Sequence, residues 1–244
     1  VYSSRYYFGR ALANGKTYYW RYRARIGASW GVWTPTYKFY SLNPPLAPVM
    51  LTPNRTLKNH SEVLLSWNET ANAEKYQVQI SKYYKFTSTV QDVVVPDKGT
   101  SFTTSALADG LYYWRVRGID SVGVNGSWSG YRSFTIDTVL PVTPQLTSPS
   151  DGAYITTTSP TLAVKPVSDA GRYCFQMADN PAFDNPLVNP TCAQSTTSTN
   201  WTVPVEAALG YQTYYWRAMA VDAAGNYSIP AISRILNLTL MQSP

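Results

Sequence analysis

Three stretches of the sequence carry the motif Tyr-Tyr-Trp-Arg: TYYWRYRARIGAS at Thr17–Ser29, LYYWRVRGIDSVG at Leu111–Gly123 and TYYWRAMAVDAAG at Thr213–Gly225. The tryptophans of the motif are Trp20, Trp114 and Trp216. They recur about every 100 residues, which is the size of one β-sandwich module. The motif therefore marks an internal repeat.

The segments before the second and third motifs also correspond to each other. VLLSW (Val63–Trp67) corresponds to PTLAV (Pro160–Val164), and KYQVQIS (Lys75–Ser81) corresponds to RYCFQMA (Arg172–Ala178). Short alternating segments separated by turn residues are typical of β-strands in a sandwich. We therefore predict an all-β fold of tandem immunoglobulin-like β-sandwich modules.

The first repeat contains only the motif strand and the strand after it. We predict three segments: the C-terminal half of a module in 1–43, a complete module in 44–137 and a complete module in 138–240. Half a sandwich has an unpaired edge and an incomplete core, so it is not stable alone. Either the chain extends upstream, or another subunit supplies the missing strands. The sequence also starts with Val1 and not Met, so we expect that it is processed or belongs to a longer chain.

The composition excludes several classes of protein. Hydrophobic residues make up 44% of the 244 residues and charged residues only 14%, whereas Ser and Thr number 49. The net charge is +6, but the Lys and Arg residues form no basic run, so we predict no nucleic-acid partner. No apolar stretch reaches the ~18 residues of a membrane span.

Alternation along the motif strand assigns its two faces. We predict that the apolar face forms the core through Trp20, Trp67, Trp114, Trp216, Tyr112 and Tyr214, with Trp114 packed against Trp67 and Cys174 on the outward face of its own strand. Tyr112 occupies the place where a tyrosine hydroxyl binds an upstream backbone group, the tyrosine corner. The outward face carries Arg and is followed by Trp, which predicts a ladder of stacked guanidinium and indole groups. Its predicted members are Arg21, Arg23, Trp30, Arg115, Arg117 and Trp128, with Trp33 in the same segment as Trp30.

Several of these residues together resemble a known family. Trp67, Tyr76-x-Val78-x-Ile80, Leu107-x-x-Gly110, Tyr112-x-Trp114-x-Val116, Gly123 and Trp128-Ser129 are similar to the fibronectin type III-like repeats of large microbial cell-surface proteins. The resemblance covers nearly the whole chain. It implies modules that act as spacers, adhesion units or assembly units, and a fold of this kind does not by itself specify a function.

No stretch reads as a catalytic site. His60 is the single histidine and lies in a polar loop, and no His/Cys/Asp/Glu cluster has metal-ligand spacing. We predict that the chain is not an enzyme and that it needs no cofactor or metal. Asp and Asn in VDAAGN (Val221–Asn226) suit calcium, but capping of a turn is their commoner role.

Two features suit an extracellular location. The two cysteines, Cys174 and Cys192, can link a strand to the Pro- and Asn-rich loop after it, the alternative being two free thiols. Seven asparagines begin Asn-x-Ser/Thr, an excess over chance that makes them candidates for glycosylation. They are Asn54, Asn59, Asn68, Asn125, Asn200, Asn226 and Asn237.

Two functional hypotheses follow. The leading one is a structural segment of an extracellular cell-surface or filament protein, as a stiff spacer or a self-assembling unit completed by strand donation; Pro-rich connectors at Ser41–Leu51 and Asp137–Leu146 favour stiffness. Its partners are neighbouring modules or copies of the same protein. The second is an adhesion or carbohydrate-binding module of a secreted protein or glycoside hydrolase, with glycans or other surface proteins as partners. It predicts exposed aromatics unpaired with Arg, for which Tyr83, Tyr84 and Phe86 are the candidates.

Overall fold

The computed structural model describes residues 5–13, 15–189, 191–207 and 209–240, which divide into two compact units. The first unit contains residues through Thr56 together with Glu62–Thr135, and the second contains Leu57–Ser61 together with residues from Ile136 onward. Within the described residues the single helical element is a 3-10 turn at Val205–Ala207. The predicted all-β fold class is confirmed.

The first twelve strands build four sheets. β1 pairs with β4 and β2 with β3, while the other strands form a three-stranded sheet, β10-β7-β5, and a five-stranded sheet, β6-β12-β11-β8-β9. The strands are β1 (Lys16–Trp20), β2 (Arg25–Ile26), β3 (Ser29–Trp30), β4 (Tyr37–Ser41), β5 (Met50–Thr52), β6 (Thr56–Lys58), β7 (Leu64–Trp67), β8 (Lys75–Ser81), β9 (Gln91–Val95), β10 (Ser101–Thr103), β11 (Gly110–Ile119) and β12 (Arg132–Ile136).

The core of the second repeat follows from strict alternation along β11. Tyr112, Trp114 and Val116 are buried, and the residues between them are half-buried on the outward face. The Trp114 indole N–H donates to the carbonyl of Pro53 at 3.1 Å, so this polar atom is satisfied inside the core. The Trp67 ring packs against Tyr76, with their centroids 5.6 Å apart.

The last seven strands build the third repeat. They form a three-stranded sheet, β13-β15-β17, and a four-stranded sheet, β14-β19-β18-β16. Trp216, Phe175 and Leu236 are fully buried in the core of this repeat. The strands are β13 (Leu146–Ser148), β14 (Ala153–Ile155), β15 (Thr161–Val164), β16 (Arg172–Ala178), β17 (Asn200–Thr202), β18 (Thr213–Val221) and β19 (Arg234–Leu238).

The first tyrosine of each Tyr-Tyr-Trp-Arg motif forms a hydrogen bond, through its hydroxyl, with a nearby upstream backbone group. Tyr112 donates to the Ala108 carbonyl at 2.8 Å, and Tyr214 donates to the Gly210 carbonyl at 3.2 Å. In the first repeat the Tyr18 hydroxyl accepts from the Ala13 N–H at 2.8 Å. The structure thus contains a tyrosine corner where the sequence places one.

Each connector is held against residues of the sandwich that follows it. Pro45 packs so closely on Gly118 of β11 that a Cβ at position 118 would lie 2.7 Å from the Pro45 Cβ. In the second connector the Thr143 hydroxyl donates to the Ile229 carbonyl at 3.0 Å. Proline restricts the backbone, and these contacts restrict it further.

Candidate functional site

The outward face of β11 carries a stack of charged and aromatic groups. The Arg115 guanidinium lies between the rings of Phe86 and Trp128, at 4.2 and 4.3 Å from their centroids. Trp128 also covers Arg117 at 4.4 Å, so the order is Phe86, Arg115, Trp128 and Arg117. We call this arrangement the Arg–aromatic ladder. Contacts of this kind contribute ~0.5–1 kcal/mol each at exposed sites and more when water is excluded.

Side chains of the neighbouring strands accept the arginine protons. Arg115 donates twice to Gln79 Oε1, at 2.9 and 2.7 Å, and Arg117 donates to Gln77 Oε1 at 2.8 Å. Both glutamines in turn donate to the Asp92 carboxylate on β9. Burial lowers the pKa of Arg115, and the like charge of Arg117 lowers it further.

The prediction that Phe86 is exposed and unpaired with Arg is wrong. Phe86 sits in a turn with a φ of 54° that places its ring over Arg115. Phe183 repeats this arrangement in the third repeat: its φ is 58°, and the Arg217 guanidinium lies 4.1 Å from its ring centroid. Arg217 also donates a hydrogen bond to a glutamine, Gln176, as Arg115 does to Gln79. Positive φ is rare for a bulky residue, so the sequence does not reveal this turn.

The outward face of the third repeat has a different cover. Cys174 lies outward from the main core, as alternation predicts, but it is fully buried because the loop after β16 covers it. The structure contains the Cys174–Cys192 disulfide, and the two cysteines form a small second core with Met219 and Val221. The expectation of a solvent-facing Cys174 is therefore corrected. Cys174 and Met219, which are paired across β16 and β18, stand at the positions that Gln77 and Arg117 occupy in the second repeat.

The first repeat has the longest ladder. Arg21 stacks on Trp33 at 4.5 Å, Arg23 lies between Trp33 and Trp30 at 4.6 and 4.5 Å, and Arg25 covers Trp30 at 5.4 Å. Trp33 is the counterpart of Trp128, because the Thr34 hydroxyl accepts from the Tyr22 N–H as the Ser129 hydroxyl accepts from the Val116 N–H. The sequence analysis predicted Trp30 as the ladder member of this repeat. Trp30 lies in the β2–β3 hairpin and adds one more aromatic ring to the ladder, between Arg23 and Arg25.

The prediction that Trp20 belongs to a core is wrong in this structure. Trp20 is 46% exposed, whereas Trp114 and Trp216 are 0% exposed. Its ring contacts Tyr37 and Tyr22, with centroid distances of 5.1 and 6.0 Å, and it lines an open groove with Phe39. The reason is topological: within the described residues no sheet faces β1 and no strand occupies its second edge.

Charge is distributed unevenly along the sequence, a signal that inspection for basic runs does not detect. Seven of the 20 Lys and Arg residues lie in residues 1–43, together with none of the 14 Asp and Glu residues. The rest of the chain is close to neutral. The long ladder and the open groove therefore lie in a strongly basic segment.

A second aromatic cluster lies on the second repeat. The rings of Tyr84, Tyr113 and Tyr131 contact one another, with centroids 5.6–6.3 Å apart. Tyr84 and Tyr131 are about half exposed, and Tyr83 beside them is also exposed. Of the three predicted binding candidates, Tyr83 and Tyr84 therefore lie at the surface, and the rings of Tyr113 and Tyr131 lie beside Tyr84, which the sequence did not predict.

The seven sequons differ in accessibility. Asn226 is buried, and its amide nitrogen donates to the Asp137 carbonyl and the Asp222 carboxylate, at 2.9 and 2.8 Å. The prediction that Asn226 is a glycosylation site is therefore wrong, because the folded chain buries the nitrogen that would carry the glycan. Asn237 is half-buried, and its amide nitrogen donates to the Gly152 carbonyl at 3.2 Å. The exposed members are Asn54, Asn59, Asn68, Asn125 and Asn200.

Groups with catalytic chemistry are scattered. His60 is exposed, with its ring nitrogen 3.1 Å from the Asn59 side-chain oxygen. Among the described residues no group of three or more His, Cys, Asp and Glu side chains is placed to hold a metal ion. No helix in that part of the chain is long and apolar enough to cross a membrane.

The sequence matches no protein-family model and no curated protein. Solved structures do resemble it. The FN1–FN3 domains of chicken CNTN1 align with a TM-score of 0.54 and 13% identity over 93% of this chain and 77% of that one. The fibronectin(III)-like modules of Clostridium thermocellum CbhA align with a TM-score of 0.53 and 12% identity over 81% of this chain and 97% of that one. The chain has a fibronectin type III-like fold.

Proposed function

We propose that this chain is a non-catalytic structural segment of an extracellular cell-surface or filament protein, which serves as a stiff spacer or as a self-assembling unit. The observation that carries the proposal is the threefold repeat of one structural device, the motif strand with its outward Arg. Repetition of one structural device along a chain suits a structural role better than a single specific site does. The fibronectin type III-like fold supports a non-catalytic module.

Three further features support the extracellular and spacer parts of the proposal. The disulfide is stable in an oxidising compartment. Five sequons lie at exposed positions. Both Pro-rich connectors are anchored to neighbouring residues, through Pro45 on Gly118 and Thr143 on Ile229. We also propose that one module ends at residue 43 and the next at residue 137.

Sedimentation velocity tests the assembly part. We expect the full chain to self-associate with increasing concentration, and a chain of residues 44–244 to remain monomeric. If both chains associate equally, the first repeat has no role in assembly. If neither associates up to millimolar concentration, the spacer role remains and the assembly role is refuted.

The Tyr84, Tyr113 and Tyr131 cluster favours a second candidate, an adhesion or carbohydrate-binding function. Exposed aromatic rings that lie close together are common at recognition surfaces. A glycan array probed with the full chain would give a signal that Tyr83→Ala and Tyr84→Ala abolish. Tyr154→Ala is the matched control, because Tyr154 is exposed in the other unit and lies outside the cluster. An equal loss in the control would contradict a specific site.

A further inference from the structure

The outer edge of β16 is covered by a loop and not by a strand. In the second repeat, the corresponding strand β8 pairs with β9 along five consecutive residues, Tyr76–Ile80. β16 is the last strand of its own sheet, and among the described residues its outer edge forms only two isolated bridges. They join Tyr173 to Thr196 and Met177 to Val188. The outer edge of β16 therefore lacks the continuous backbone pairing that protects β8.

A side chain fills the gap between the two bridges. The loop takes eight positions to pass from one bridge to the other, whereas β16 takes four, so the two cannot pair residue by residue. Asn189 is buried in this gap, and its amide nitrogen donates to the Phe175 carbonyl at 3.1 Å. Its side-chain oxygen accepts from the Gln194 N–H at 3.0 Å. One side chain therefore replaces the backbone ladder at the middle of this edge.

The disulfide is the covalent connection between this loop and the outward face of β16. Cys192 follows Asn189 in the loop, and its N–H donates to the Asn189 carbonyl at 3.2 Å. Its sulfur bonds to that of Cys174, and the two Cα atoms are 5.3 Å apart. Met219 and Val221 complete the small second core around the two cysteines. The bond therefore holds the loop where it covers both the strand edge and this second core.

The main core of the third repeat depends little on the loop. It is formed by residues of both sheets, among them Leu162, Phe175 and Trp216, which are fully buried. Among the described residues of 179–199, Val188 is the single buried member of this core. Parts of a fold with few core contacts open at a lower free energy than the core strands do. The loop can therefore leave β16 while the main core stays closed.

We propose that the Cys174–Cys192 disulfide is a redox switch for the outer edge of β16. While the bond is intact, the loop covers this edge. When a dithiol reduces the bond, Asn189 and Cys192 leave the strand, and the Phe175 carbonyl and the Met219 side chain come into contact with water. The open state presents a free strand edge beside an apolar patch, and a free edge is a surface on which other strands can pair. The switch goes beyond the proposed structural role and does not depend on it.

The reduction is a thiol–disulfide exchange. Cys192 is 7% exposed and Cys174 is 0% exposed, so one thiolate of the dithiol attacks the Cys192 sulfur and bonds to it. The Cys174–Cys192 bond breaks, and Cys174 leaves as a thiolate that takes up a proton. The second thiol of the reductant then displaces Cys192, which becomes a thiol while the reductant closes into a cyclic disulfide. Two electrons have passed from the dithiol to the protein.

Alternation along β16 provides the measurement and its internal control. The N–H groups of Tyr173 and Met177 point to the loop, where they donate to backbone carbonyls at 2.7 and 3.4 Å. The N–H groups of Cys174 and Gln176 point the other way, to β18, because these directions alternate along a strand. Amide exchange followed by NMR in the full chain, oxidised and after reduction with dithiothreitol, compares both sets. The amides of β8 are a matched control, since β8 has a continuous partner strand.

We expect reduction to speed exchange at Tyr173 and Met177 by about tenfold or more, and to change it by less than about threefold at Cys174, Gln176 and the β8 amides. Mass spectrometry of the folded chain should show the gain of two hydrogens, and reoxidation should restore slow exchange. A chain with Cys174→Ala and Cys192→Ala should match the reduced chain in the absence of reductant. This variant separates loss of the bond from any other effect of dithiothreitol.

Three results would overturn the inference. Unchanged exchange at Tyr173 and Met177 after complete reduction would mean that hydrogen bonds alone hold the loop on β16. Equally faster exchange along β16 and β18 would mean that the bond stabilises the whole repeat and controls no local opening. A disulfide that dithiothreitol reduces only in denaturant would mean that the switch does not operate in the folded protein.

Discussion

Replacing Arg115 by Lys tests whether the Arg–aromatic ladder stabilises the protein. The substitution keeps the charge but removes the flat guanidinium that lies between Phe86 and Trp128. Two stacking contacts are each worth ~0.5–1 kcal/mol. The paired hydrogen bond to Gln79 adds to this, because a bond with a charged donor contributes ~1.5–3 kcal/mol and Lys can keep part of it. We expect Arg115→Lys to lower the free energy of unfolding of the first unit by about 2–3 kcal/mol.

Urea unfolding followed by hydrogen exchange measures this change for each unit separately, because peptides from β11 report the first unit and peptides from β18 the second. A loss of this size corresponds to a lower midpoint by roughly 1–2 M urea for a domain of this size. The second unit should be unaffected. Arg172→Lys is the control, since Arg172 is exposed on a strand and has only a 3.2 Å bond to the Ser195 hydroxyl.

A double-mutant cycle isolates the stacking contribution. Trp128→Ala should cost less in the Arg115→Lys chain than in the parent, with a coupling energy of ~0.5–1 kcal/mol. If Arg115→Lys costs no more than the Arg172→Lys control, or if the cycle shows no coupling, the ladder does not stabilise the fold and our reasoning about the outward face is refuted.

Three other outcomes are expected. Reducing the Cys174–Cys192 bond, which closes a separation of 18 residues, should destabilise the second unit by about 3 kcal/mol and leave the first unchanged, as thermal unfolding with and without reductant would show. Trp216→Ala should cost ~3–5 kcal/mol because Trp216 is fully buried, whereas the half-exposed Trp20→Ala should cost less than about 1 kcal/mol; equal costs in denaturant unfolding would contradict the assigned burial. Peptide mass mapping of protein secreted from glycosylating cells should find Asn226 unmodified, and a glycan there would mean that the turn forms differently.

Much of the fold could be predicted because the determining signal is local. Alternation along Tyr112–Gly118 specifies which side chains are inward, and recurrence of the motif gives the repeat length. The two cysteines are also only 18 residues apart, one in a strand and the other in the loop that follows it, so a bond between them could be predicted. These inferences need only the period of a strand and the spacing of turns.

The parts that could not be predicted depend on long-range neighbours. Trp20 sits in the same four-residue motif as Trp114, but burial depends on a facing sheet that the motif does not encode. The residues that flank Phe86 have little in common with those that flank Phe183, so the sequence does not mark the shared turn. The positive φ of both residues also opposes the usual preference of phenylalanine. The burial of Asn226 depends on the Asp137 carbonyl, which lies far away in the sequence.

The different covers on the two complete repeats give them different chemical sensitivities. The cover over Arg115 and Arg117 is reversible: it forms in any compartment, weakens gradually with salt or heat, and reforms when the chain refolds. The cover over Met219 and Val221 depends on oxidation, so it is complete only after the thiols of Cys174 and Cys192 have met an oxidant. The second repeat therefore completes its cover on folding alone, whereas the third repeat completes its cover only after Cys174 and Cys192 have been oxidised.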